Sequence, residues 1–186
     1  MADLDSIGLL EVSSLALGHV VEDAMLKEAS VDLLLARTIC SGKFLVVVAG
    51  DVASVEAAVA AGATAAAGGV IERRVIPHVH PSIFPAISMA TDLPPEKAKA
   101  LGVLETFSAS SIVEVADAAV KSADVCVFRV HLAMAIGGKG YALLTGDVAS
   151  VEAAVGAGRA LASEEGILVA SAVIAAPRPE LFRDFA

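Results

Sequence analysis

The ten residues GDVASVEAAV occur twice in this chain, once from Gly50 and once from Gly146. A duplicated decamer means that the fold must hold the same local structure in two places. Extending the match outward, IGLLE at Ile7 faces LGVLE at Leu101, and DAMLK at Asp23 faces DAAVK at Asp117, both at an offset of 94 residues. The decamers lie 96 apart, and VIPHVHPSIFPAI from Val75 meets VIAAPRPELFRDF from Val173 at an offset of 98. The order of matched segments persists while the offset creeps, and the first two-residue gain falls just before Gly138-Lys139, opposite Gly42-Lys43. A period of about 95 residues is too long for a solenoid unit, so the chain reads as two tandem domains. The boundaries are a first domain over 1–88, a polar linker with a double proline over 89–99, and a second domain over 100–186.

Each copy has its own pattern. SIGLLEV is an apolar run of strand length, and in the segment that follows Leu17, Val20, Val21, Ala24 and Met25 recur at helical spacing. VDLLLARTI and FLVVVAG are β-rich runs separated by the small-residue turn Cys40-Ser41-Gly42-Lys43, which predicts an antiparallel pair. Asp51 is placed to cap a helix whose stripe is Val52, Val55 and Val59 and which ends before Gly68-Gly69. GVIERRVIP is a fourth strand, and the Pro-broken piece from Pro81 can make only a turn of helix. The order β-α-β-β-α-β with a short terminal helix is a ferredoxin-like α+β sandwich, and it occurs twice.

Composition narrows what such a molecule can do. Hydrophobic residues make up 56% of the chain, and the mean hydropathy is +0.76. The Ala57–Ile71 run is mostly Ala and Gly, shorter than the ~20 strongly apolar residues of a membrane helix, and reads as a buried small-residue helix. No membrane partner is expected, and the acidic MADLDS start is unlike a secretory signal, which points to the cytosol. The formal charge of −9 argues against nucleic acid, whose phosphates call for clustered Lys and Arg. Apolar surface in excess points instead to self-association.

Few residues carry chemistry. Phosphate-loop, nucleophile-elbow and recurrent His–carboxylate patterns are missing, so the chain reads as a non-enzyme. Glu11 and Glu105 fall at matched strand positions, which duplication explains better than an acid–base pair does. The two cysteines read as packing, ligand or reactive thiol rather than disulfide: Cys126 as a buried strand residue, Cys40 as a turn residue with all three roles open. His78 and His80, two apart, would share a face on a strand but lack a third metal ligand. His19 and His131 read as ordinary polar residues.

The segments GLLE, DAMLK, TICSGKFLVVVAGDVASVEAA and VIPHVHPSIFPAI resemble tandem-domain bacterial microcompartment shell proteins, over nearly the whole chain. The likeness is greatest to the propanediol-utilisation type, whose pore-lining cysteine is associated with an iron–sulfur cluster. The resemblance implies a homotrimer forming a pseudo-hexameric tile with a central pore, meeting other shell proteins edge to edge, with encapsulated redox enzymes as further partners. It places Thr38, Ile39, Cys40, Ser41, Gly42 and Lys43 of the first copy at the pore, with Ala135, Ile136, Gly137, Gly138 and Lys139 of the second. A three-fold axis would turn one Cys40 per chain into three thiolates around one point, the protein ligands of a single 4Fe-4S cluster per trimer with its fourth iron open. Three thiolates also suit zinc. Lys43 and Lys139 are then either solvated or a positive pore rim, and Lys27, Lys121, His80 and Arg178 are implied tile-edge residues. The implied role is electron passage across the shell, or cofactor repair. A tile with an empty or gated pore for small metabolites is the alternative within the fold, and a soluble ferredoxin-like regulatory trimer is the alternative outside it.

Overall fold

The structure, a computed structural model, describes residues 4–88, 91 and 99–185. The expected linker lies almost wholly outside the described residues. Two compact units emerge, one running to Pro81 together with Met134–Gly138, the other Ser82–Ala133 with the chain from Lys139 on.

In the first unit β1 (Ser6–Val12), α1 (Leu15–Glu28), β2 (Asp32–Thr38), β3 (Phe44–Gly50), α2 (Val52–Ala65) and β4 (Val70–Ile76) follow in the anticipated order. The sheet is antiparallel throughout, in the order β2-β3-β1-β4, which is the ferredoxin-like arrangement. β1 is buried along its whole length because it is central: Leu10 pairs with Val46 of β3 on one side and Arg73 of β4 on the other. Leu10, Val12, Val46 and Val48 turn one sheet face toward Val21 and Met25 of α1 and Val55 and Val59 of α2. Burying a side chain of this kind contributes about 1.5–3 kcal/mol, so this layer dominates the unit's stability. The helices sit close because the strand gives way: a Cβ on Gly8 would lie 2.6 Å from Val59.

The second unit repeats the plan with β5 (Ala100–Thr106), α4 (Ser111–Ser122), β6 (Val125–Leu132), β7 (Gly140–Gly146), α5 (Val148–Glu164) and β8 (Leu168–Ala175), in sheet order β6-β7-β5-β8. It also takes in α3 (Ile83–Ile87), the short helix anticipated after Pro81, which packs on β6. Register shifts fall at matched places, Glu11/Val12 against β4 and Glu105/Thr106 against β8. Bulges of this kind re-aim the side chains beside them.

Some expectations needed correction. Val20, one of the apolar residues at helical spacing in α1, is 54% exposed; Gly18, Val21 and Met25 are the buried residues of the helix. Gly18 takes that place because the bulky Phe44 of β3 lies beneath it. α2 ends before Gly68-Gly69 as expected, but the Ala57–Ile71 run is helical only to Ala65; the chain then turns through Ala67 and Gly68 with positive φ into β4. β4 ends at Ile76 and His78 has a φ of 53°, so His78 and His80 are not alternate residues of a strand. Cys126, read as a buried strand residue, is half-buried on β6, packed against the cluster of Leu101, Phe128 and Leu143.

Candidate functional site

The turn after β2 is a single 3₁₀ turn, Cys40–Gly42, closed by the Ile39 N–H donating to the Lys43 carbonyl at 2.9 Å. Ile39 anchors it, 6% exposed, while Ser41 and Gly42 take φ of 64° and 74°. The second copy closes the corresponding loop through Ala133 N–H to the Lys139 carbonyl at 3.0 Å. There Ala133, Ala135, Gly137 and Gly138 all have positive φ. Alternating left-handed residues of this sort aim successive backbone N–H groups at one point and favour an anion there.

The group those N–H groups face is the Cys40 sulfur. The segment Met134–Gly138 lies in the same compact unit as Cys40. Backbone N–H donation, first from Gly138 and then from Gly137, Ile136 and Ala135, outweighs partial desolvation and holds the Cys40 thiol below the usual thiol range. The thiolate is the form that binds metals and attacks electrophiles. One copy thus supplies the sulfur and the other its hydrogen-bond donors, a division that the sequence did not disclose.

Lys43 and Lys139 each have a carboxylate partner. Lys43 Nζ donates to Glu11 Oε1 at 2.6 Å, and Lys139 Nζ to Glu105 Oε1 at 2.5 Å. The Glu11 side chain is only 5% exposed. The sequence placed these glutamates at matched strand positions but not against the lysines; the signal available was that the Glu and the Lys appear together, at the same places, in both copies.

No group of three or more His, Cys, Asp and Glu that could hold a metal comes together among the described residues. Cys40 is in no disulfide among the described residues. Its donor chemistry fits a thiolate ligand, and one sulfur per chain fits a cluster only if several chains share it. His78 Nδ1 lies 3.6 Å from Asp5 Oδ2, with His78 well exposed, and gathers nothing further that would make a metal site. His131 stacks on Tyr141 at 4.7 Å, and His19 meets Glu22 at 3.1 Å. Cys126 borders a cleft of about 240 Å³ with Lys99, Asp124, Thr145 and Asp147.

Of the residues assigned to edges, three have a carboxylate nearby on their own segment. Lys27 pairs with Asp23 at 2.6 Å and Lys121 with Asp117 at 2.5 Å. Arg178 lies 3.5 Å from Glu180 and is largely exposed, and His80 is half-buried.

The matched helices α1 and α4 differ in exposure. Leu15 is 49% exposed and Leu26 40%, whereas their counterparts Ala109 and Val120 are 0% and 7%. The Asp23 side chain is 62% exposed against 8% for Asp117. Large apolar side chains left in water on one copy, with matched positions buried on the other, mark a surface suited to association.

The BMC domain model matches residues 6–79 and again 100–177. The chain is 42% identical, over 96% of its length and 96% of the relative's, to the bacterial microcompartment shell protein PduT of Citrobacter freundii. The bacterial microcompartment shell protein PduA of the same organism is 40% identical over 81 residues, covering 42% of this chain and 87% of that one. Among solved structures, a microcompartment protein from Desulfitobacterium hafniense DCB superposes with a TM-score of 0.93 at 49% identity, covering 97% of this chain and 99% of that one. No helix among the described residues is long and apolar enough to cross a membrane.

Proposed function

Because the chain belongs to the BMC domain family, whose members named above are structural shell proteins of bacterial microcompartments, we propose that three copies close into a pseudo-hexameric facet tile with a central pore. The six domains of such a ring come from three chains, so fewer bodies lose their freedom on assembly than with single-domain subunits. The exposed Leu15 and Leu26 of α1 support the ring, since their counterparts in the second copy are already buried. The pore border is Thr38 to Lys43 with Ala133 to Lys139. Lys27, Lys121, His80 and Arg178 are the tile-edge residues, facing neighbouring shell proteins.

The role of the tile is to pass electrons across the shell through a 4Fe-4S cluster held by one Cys40 from each chain. The observation that carries this is the set of backbone donors around the Cys40 sulfur. Such donors stabilise a ligand thiolate and are among the features that set a cluster's potential. When bound, the cluster supplies one-electron chemistry; the chain's own part is to present the sulfur, keep it anionic and position it at the axis. Redox enzymes inside the compartment are the partners this implies.

The test is anaerobic purification. The expected product is a brown protein with broad absorbance near ~400 nm that loses its colour on Cys40→Ser. A colourless wild-type trimer instead supports the second reading, an open pore for small metabolites. That reading draws on the left-handed Ser41, Ala133 and Ala135, strained residues of a kind found in movable loops.

A further inference from the structure

The same ion pair occurs twice, once in each copy, and always joins a loop to the central strand. In the first copy Glu11 of β1 reaches Lys43, the residue that closes the Cys40 turn; in the second Glu105 of β5 reaches Lys139, which follows the donor Gly138. Both glutamates stand at the register shift of their strand. Glu11 faces Glu72 across β4, and Glu72 is itself paired with Arg74 at 3.1 Å. Glu105 faces Ala170 at the matched position, so no second carboxylate intrudes there.

We propose that Glu11 and Glu105 are positioning residues that tie back and neutralise the loop lysines, so that the pore border presents no ring of free cations. Two consequences follow. Each lysine holds its loop to the sheet, fixing the turn that carries Cys40. Discrimination at the pore then falls to its width, the backbone groups and the sulfur, and anionic solutes gain no attraction from Lys43 or Lys139. A paired Lys with a nearly buried partner contributes far less to the local potential than a free one.

The proposal rests on reading these loops as the pore border, but its test does not need the assembled tile or any iron. In Cys126→Ser protein freed of iron with a chelator, Cys40 is the sole thiol. Its labelling by an anionic methanethiosulfonate (sulfonate-bearing) and a cationic one (trimethylammonium-bearing) is timed. Both reagents consume the thiolate, so the ratio of their rates reports local charge and cancels ionisation. Glu11→Gln frees Lys43 and is expected to raise the anionic-to-cationic ratio on the order of tenfold. Lys43→Gln lowers the ratio, and the Glu11→Gln/Lys43→Gln double variant returns it to within about twofold of the starting protein, as removal of a neutral pair requires. Glu105→Gln and Lys139→Gln give an independent reading should Glu11→Gln fail to fold. A ratio unmoved by both Glu→Gln changes overturns the proposal. A colourless or monomeric protein overturns the cluster or the tile and leaves this measurement standing.

Discussion

Gly18 of α1 lies directly over Phe44 of β3: a Cβ on the glycine would stand 2.3 Å from the phenyl ring. In the second copy the sizes are exchanged. Ile112 occupies the helix position and Gly140 the strand position, where a Cβ would meet Ile112 at 2.5 Å. Each helix–strand contact therefore has one large and one absent side chain, and neither copy can adopt half of the other's solution.

The first prediction concerns this exchange. Gly18→Ile should overpack the first unit, and Phe44→Gly should empty it, each costing about 3 kcal/mol or more. The double variant Gly18→Ile/Phe44→Gly transplants the second copy's pairing and should recover most of that loss. Thermal melts of the three variants check it; a double variant as unstable as the sum of the singles refutes it.

The second prediction concerns the face of α1. Leu15→Asp with Leu26→Asp alters residues exposed in the single chain, so folding should survive while association is lost. Val120→Asp, at the buried counterpart of Leu26, should lower the melting temperature instead. Light scattering after size exclusion, beside a melt, separates the two outcomes.

How much of this was legible in the residues themselves depends on the range of the interaction. The duplicated decamer and the periodicity of SIGLLEV and FLVVVAG give the tandem plan and the strand order, because both follow from local patterning. The exposure of Val20 was not legible, since it turns on Phe44 claiming the space under Gly18. Identical sequence did not give identical contacts either. Asp51 caps α2 by accepting from the Ser54 N–H at 2.9 Å, whereas its twin Asp147 is held by Lys99 at 2.9 Å. The matched residue in the first copy is Asp5, which could not play that part. The Cys40 turn could be placed from its small residues, but its donors come from a loop almost a hundred residues away.

The third prediction follows from those donors. Backbone N–H groups, led by that of Gly138, hold the Cys40 thiol below the usual range. Its labelling by a neutral alkylating reagent should therefore stay fast at pH values where an ordinary thiol has slowed. The sign is that of a depressed acid: stabilisation of the fold by the thiolate is complete above the unfolded thiol's pKa and is lost as pH falls through the folded value. Rate–pH profiles in Cys126→Ser protein, against the same protein unfolded in urea, check the direction. Coincident profiles would remove the donors from the account.

The fourth prediction concerns the cap. Ser54 hydroxyl and backbone donation, aided by the Ala53 N–H, holds the Asp51 carboxyl below its ordinary value. Asp51→Ala should lower the melting temperature at neutral pH. The difference from wild type should shrink as pH falls through the folded-state pKa of Asp51, since protonation removes what the mutation removes. Asp147→Ala removes no side-chain cap bond and instead takes away the partner of Lys99.

The most direct test of the whole account is the mass of the wild-type particle by sedimentation equilibrium, followed by electron microscopy of concentrated protein. A particle of three 18.7 kDa chains that spreads into flat hexagonally packed sheets is the expected result. A protein that remains a single chain at high concentration, with Leu15 and Leu26 of α1 left in water, would contradict it.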